Sequence, residues 1–168
     1  MNLEPELEQI QKFFAQFVAE TDRGAALAAG AILEDRLGDI LMAFLADDKE
    51  SKKILKGPQA PLGGLSARIS TCLALGLIDG AEFDEMNRIR AIRNKFAHNW
   101  DGVTFEELSI QTLTRLLPWR GPDEYEERAN TKDRFCTAVS MLLVDLVWRT
   151  RLIRKEKRTI KTWPNRSR

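Results

Sequence analysis

The sequence predicts an all-α fold: a single-domain, antiparallel bundle of about five to six helices. Three observations predict it. Apolar residues recur at steps of three and four through most of the 168 residues, which is the helical period. No alternating strand pattern longer than a few residues interrupts them. The connections carry Gly, Pro and clusters of acids but stay short, which favours antiparallel neighbours.

Leu3, Leu7, Ile10, Phe14, Phe17 and Val18 give the stripe of a first helix over about 3–20. Thr21-Asp22 supplies capping oxygens for a second, about 23–46, with an apolar face of Ala29, Ile32, Leu33, Leu37, Ile40, Ala43 and Phe44. Arg36 falls inside that arc and is expected to pair with a carboxylate from a neighbouring helix, because an unpaired buried charge is strongly destabilising. Asp47-Asp48-Lys49-Glu50 reads as a polar break, and Gly57-Pro58 with Pro61-Leu62-Gly63-Gly64 as a loop. Leu62, Leu65, Ile69, Cys72 and Leu73 mark a third helix ending at Gly76. Asp79-x-x-Glu82 is a capping box for a fourth, about 79–98. Thr104-x-x-Glu107 opens a short helix to about 117, and residues 118–130 read as a loop. A last helix starts near Thr131 with Phe135, Val139, Leu142, Leu143, Leu146, Thr150 and Ile153 facing inward. Met141 and Trp148 lie off that stripe, where they fit a homodimer contact.

The charge is divided. Residues 149–168 carry nine Lys/Arg against one acid, a net +8, while the other 148 carry 17 basic and 24 acidic side chains, a net −7. The division suggests a bundle over 1–148 and, over 149–168, the end of the last helix with a basic tail. Such a tail reads either as a solvated, frayed end or as a strand of cations that follows a phosphate backbone. Arg151, Arg154, Lys155, Lys157, Arg158 and Lys161 are its candidate nucleic-acid contacts. No apolar run reaches the roughly 20 residues of a bilayer span, and the acidic start lacks the layout of a signal peptide. Cys72 and Cys136 fall in apolar helical patterns and read as buried free thiols of a cytoplasmic protein. With one histidine and no Cys-x-x-Cys, neither a metal site nor a cofactor is expected.

Ile89-Arg90-Ala91-Ile92-Arg93-Asn94-Lys95-Phe96-Ala97-His98 concentrates the chemistry. Arg93 falls among Met86, Ile89, Ile92 and Phe96. It ties the fourth helix to the second through a carboxylate, with Asp22, Asp35 and Asp39 as candidates, or it holds a phosphate. His98 suits general acid/base work, yet a histidine at a helix end also meets the last carbonyls as a cap. Asn94 can fix the imidazole tautomer or bond a ribose hydroxyl. Arg93 and His98 are five apart, so on an unbroken helix they diverge by about 140°. They converge only if the helix ends or bends near Ala97, or if a second copy completes the site. No phosphate loop, nucleophile elbow or helix-turn-helix is recognised.

Glu20-Thr21-Asp22-Arg23-Gly24, Pro61 to Ile69, Ala74 to Ile78 and Ile89 to His98 resemble, in order and spacing, the mannitol operon repressor (MltR) family. The resemblance spans roughly residues 3–145. It implies an all-helical transcriptional regulator without an evident DNA-binding domain, acting through a protein partner or DNA. Arg93-Asn94-x-x-x-His98 also resembles the Arg-x4-6-His motif of HEPN domains, many of which are dimeric, metal-independent RNases. That resemblance implies Arg93 on the scissile phosphate, His98 on the ribose 2′-hydroxyl and Asn94 orienting one of them, as in the toxin half of a toxin–antitoxin pair. The expected activity is the regulator's, without enzymatic chemistry.

Overall fold

The computed structural model describes residues 5–99 and 101–163, without the side chains of residues 5–7, 9 and 10. Eight α-helices and one 3-10 turn follow one another among these residues: α1 (Pro5–Ala19), α2 (Asp22–Phe44), α3 (Lys49–Leu55), α4 (Leu65–Ala74), α5 (Gly80–His98), α6 (Leu108–Arg115), α7 (Asp123–Glu126), α8 (Thr131–Ile153) and the turn Arg154–Glu156. The fold is all-α, as the apolar periodicity predicts, with two more helices than expected. Both extra helices are short. Asp48 caps α3 by accepting from Glu50 N at 2.8 Å, so the expected polar break is a helix start. The four-residue α7 lies inside the expected 118–130 loop.

The long helices start where the capping residues put them. Thr21 Oγ1 accepts from Gly24 N at 3.0 Å. The Asp79–Glu82 capping box is complete, with Glu82 N donating to Asp79 Oδ1 at 2.8 Å and Asp79 N to Glu82 Oε2 at 3.0 Å. α4 closes on Gly76, whose φ of +69° admits the left-handed turn that bonds Leu77 N to Cys72 O and Gly76 N to Leu73 O. α6 starts later than its sequence signal. Glu107 takes the cap position, and Thr104 holds only a local turn to Glu106 N at 3.3 Å.

α2 is the central helix and packs on α8, α5 and α4. Its expected face is buried except for half-buried Ile32, and Ala25, Ala26 and Leu41 join it. The predicted inner residues of α8 are all buried, through Ile153, so α8 runs unbroken across residue 148. Phe17, Phe135, Phe105 and Phe96 form a chain of ring contacts at 5.0–6.4 Å that joins α1, α8, the turn before α6 and α5. Val18, expected on the buried stripe of α1, is 58% exposed. Leu3 of that stripe lies outside the described residues, as do the side chains of Leu7 and Ile10. Among the described residues no helix is long and apolar enough to cross a membrane.

Arg68 on α4 is the buried cation that fixes how α2, α3 and α4 meet. Its guanidinium donates to three backbone carbonyls: Leu62 at 2.7 Å, Glu34 at 2.6 Å and Leu55 at 2.9 Å. The absence of a side chain at Gly38 makes the room, since a Cβ there would lie 2.8 Å from Arg68 Nη1. Removing the guanidinium takes a donor from three carbonyls, one of them in a buried bond, and breaks the link between three elements. Arg68→Ala is therefore expected to cost about 3 kcal/mol or more of unfolding free energy, read by urea denaturation. A loss below about 1 kcal/mol would show that the clamp does not hold these helices.

Candidate functional site

α5 carries two different charge environments along its length. Its C-terminal half, with α2 and the start of α4, lines a cleft of about 420 Å³ whose walls include Gly30, Glu34, Gly64, Leu65, Ser66, Arg90, Arg93 and Asn94. Arg93 lies against Gly30, where a Cβ would sit 2.8 Å from Arg93 Cγ, so the small residue admits the long side chain. Arg93 Nη1 donates to Asn94 Oδ1 at 3.0 Å, and its Nε is buried without a partner. Arg90 Nε donates to Asn87 Oδ1 at 3.2 Å. At the cleft's edge Gly64 caps α4 without a side-chain bond, while Glu34 Oε2 accepts from Leu65 N at 2.8 Å.

The expected ion pairs resolve differently. Among the described residues no carboxylate pairs with Arg93, which joins α5 to α2 by packing on Gly30 instead. Asp22 accepts from Phe105 N at 3.0 Å and faces Lys132 Nζ at 3.5 Å, holding the turn before α6 to the start of α2. Arg36 pairs with Asp39 at 3.1 Å on its own helix, not with a neighbouring one. Asp35 is exposed and joins neither. Burial raises the Asp39 carboxyl above its usual range, and Arg36 offsets part of that rise.

α5 is unbroken from Gly80 to His98, so Arg93 and His98 diverge. Arg93 and Asn94 share the cleft; His98 is exposed and is not among its lining residues. Nor does the histidine cap the helix end. Arg23 reaches across from α2 and takes the carbonyls of Asn99 at 3.0 Å and Ala97 at 3.5 Å.

The N-terminal half of α5 holds a network that the sequence reading missed. Glu82 and Glu85 are buried, at 6% and 1% exposure. Arg149 of α8 donates to Glu82 Oε2 at 2.5 Å. Arg120 spans Glu85 at 3.0 Å and Asp145 of α8 at 2.9 Å. Burial pushes the Glu85 carboxyl up to about 7, against the opposing pull of Arg120. The spacing of Glu82 and Glu85 along the buried side of α5 is the signal that could have revealed the network, because helical apolar stripes seldom carry two acids. Cys72 and Cys136 are buried free thiols, each pushed up to about 12 by burial.

The basic tail is rooted on the bundle. Arg158 N donates to Phe44 O at 2.7 Å, satisfying a carbonyl at the end of α2, and its guanidinium lies 4.7 Å from the centre of the Phe44 ring. Arg151 stacks over Trp148 at 4.8 Å. Arg154 and Lys157 line a groove beside Arg36 and Asp39, while Lys155 and Lys161 are exposed. Of these contact candidates, Arg158 has a structural role in the fold, so the tail is held through that residue and does not fray at residue 148.

Together these features define an all-α bundle with an arginine-lined cleft and a docked basic extension. No protein-family model matches the chain, and no curated protein matches its sequence. Its fold is similar to that of MtlR in the X-ray structure of the MtlR–HPr complex from Escherichia coli, with 22% identity over 86% of this chain and 99% of that one and a TM-score of 0.53.

The raised Glu85 carboxyl has a definite pH signature. A folded value near 7 against an unfolded one near 4.5 means that the folded state binds the extra proton. Its stabilising contribution is complete below pH 4.5 and lost as the pH rises through 7. Relative to Glu85→Gln, which does not titrate, the wild-type protein should lose melting temperature between pH 4.5 and 7. Parallel melting curves for the two proteins across that window would contradict the assignment.

Proposed function

We propose that this chain is a regulator of the mannitol operon repressor type, which acts as a cytoplasmic homodimer through a protein partner and carries out no chemistry of its own. The observation that carries the reading is geometric. The cleft gathers arginine and asparagine donors but no free general acid or base among the described residues: its carboxylate, Glu34, is engaged by Leu65 N, and His98 stands outside the cleft at the helix end. Such a set recognises a ligand and lacks the proton-transfer group that ribose cleavage needs. The likeness to MtlR, whose structure was solved with HPr, supports a protein partner for a bundle of this shape. Exposed Met141 and Trp148 on α8 supply apolar surface for a second copy.

The HEPN-type RNase reading makes the opposite demand. It needs His98 of one chain beside Arg93 and Asn94 of another. With purified protein, RNA and EDTA, the regulator should leave the RNA intact. Fragments with 2′,3′-cyclic phosphate ends that vanish in Arg93→Ala and His98→Ala would replace the regulator with the nuclease. In calorimetric titration against the HPr of the same cell, the wild-type protein should bind, and His98→Ala should bind within about twofold of it. Absence of binding by the wild-type protein would remove the support drawn from the MtlR–HPr structure.

The tail gives the same regulator a route to nucleic acid, through Lys155, Lys157 and Lys161 at its exposed edge. Cutting the chain at residue 148 is a poor test, since it removes Arg149, Thr150 and Ile153 from the bundle. The triple change Lys155→Glu, Lys157→Glu and Lys161→Glu keeps those contacts. It should weaken binding to a 20-base-pair duplex at least tenfold at low salt and flatten the salt dependence by about 2–3 in the slope of log K. Unchanged affinity would remove the tail from any such role.

A further inference from the structure

Two sets of arginines in this protein differ in what they hold. Arg68 spends its guanidinium on three carbonyls, and Arg120, Arg134 and Arg149 each hold at least two acceptors, a carboxylate among them. Arg90 and Arg93, one turn apart on α5 and lining the same cleft, hold one side-chain oxygen each, both from α5 itself. Both terminal nitrogens of Arg90 and Nη2 of Arg93 are without an acceptor among the described residues. Two like charges on adjacent turns repel each other, and no carboxylate has been placed on them to offset the cost. The only acid lining the cleft, Glu34, is turned to Leu65 N.

The opposite wall offers further donors. Ser66 is in the first turn of α4, where a backbone N–H has no partner within the helix, and its hydroxyl is exposed beside it. Asn94 gives its carbonyl oxygen to Arg93, which leaves its amide NH2 as a donor. The cleft therefore offers donors from two helices and few acceptors. We propose that this cleft binds a phosphate monoester, gripped between the forks of Arg90 and Arg93 on one side and Ser66 at the start of α4 on the other. The donors number more than the two oxygens of a carboxylate can use, whereas a phosphate group presents three terminal oxygens in a tetrahedron. Planar guanidinium forks and a helix N-terminus are each suited to such a group. Glu34 and the acidic body weaken the field, so the affinity for the bare anion is in the millimolar range.

The inference goes beyond the partner reading and does not depend on it, because phosphate binding requires no partner. The test uses the whole protein at constant ionic strength and follows the Ser66 amide by ¹H–¹⁵N NMR during titration with inorganic phosphate. A saturable shift is expected, with affinity at least fivefold weaker in Arg90→Gln and in Arg93→Gln. The Arg90 change removes a partly exposed side chain, so it reports on binding even if Arg93→Gln unfolds the bundle. Acetate should bind at least fivefold more weakly than phosphate. Glycerol 3-phosphate and a phosphoserine pentapeptide are run as further arms. Tighter binding of the first assigns the site to a free phosphate ester, and tighter binding of the second to a phosphorylated partner. Absence of saturation by phosphate, equal binding of acetate, or undiminished affinity in Arg90→Gln would each overturn the proposal.

Discussion

Arg68 sets the geometry on which the rest of the molecule depends. One guanidinium collects a carbonyl from the middle of α2, one from the end of α3 and one from the loop that leads into α4. A cation can be buried this way because three oriented carbonyl dipoles replace the water it loses, without a carboxylate. Glu34 is bound at both ends by this arrangement: its carbonyl accepts from Arg68, and its carboxylate accepts from Leu65 N. The start of α4 is thus placed against α2 from two directions. The cleft wall formed by Gly64, Leu65 and Ser66 inherits that position, and so does its distance from Arg90 and Arg93 on α5.

The same chemistry works with the opposite sign at the other end of α5. There the buried groups are acids, and the arginines come from outside the helix. Glu82 both closes the capping box and accepts from Arg149, so one carboxylate joins the start of α5 to α8. Glu85 accepts from Arg120, which also reaches Asp145 and so fixes the residue beside Trp119 and Gly121. Of these charges only Glu82 lies in the first turn of α5, where the helix dipole favours an acid. Paired buried charges of this kind contribute little net stability, since desolvation offsets most of their attraction. Their effect is on register: α5 cannot slide or rotate against α8 without stranding Glu82 and Glu85.

The fold was legible in the sequence wherever local signals act alone. Helical periodicity, the Asp79–Glu82 box, the Thr21 cap and the turn at Gly76 are read from neighbours in the chain, and each appears as expected. The short helices were not legible. The seven residues of α3 and four of α7 give too few turns for a period to emerge. The candidate site was legible in composition but not in pairing. Arg93, Asn94 and the crowding by small residues at Gly30 stand out in the sequence, yet nothing local shows that Arg23 would take the carbonyls expected for His98. Nor does anything local show that Arg68 would find a carbonyl 34 residues away. The expectation that a buried arginine pairs with a carboxylate of another helix failed at Arg36, whose partner Asp39 is on its own helix, and at Arg93; Arg68, which the sequence did not single out, shows that such a carboxylate is not required. Backbone oxygen serves Arg68, and the cleft leaves Arg93 partly open.

This partial opening distinguishes the cleft from the clusters around Arg68, Arg120 and Arg149. Around Arg68, Arg120 and Arg149 the acceptors come from elements distant in sequence, so those bonds form only when the chain has folded and serve to hold the fold. Around Arg90 and Arg93 the acceptors among the described residues are Asn87 and Asn94, from α5 itself, and these bonds need only the helix. Arg93 packs on α2 at Gly30, but neither guanidinium bonds to another element among the described residues, so the repulsion between them on the wall where α2 and α4 meet α5 has no tertiary bond to offset it. The proposed phosphate would supply that offset. On the proposed reading, the functional part of the Arg-Asn-x-x-x-His stretch is its arginine end, facing the cleft, while His98 stands outside the cleft at the helix end.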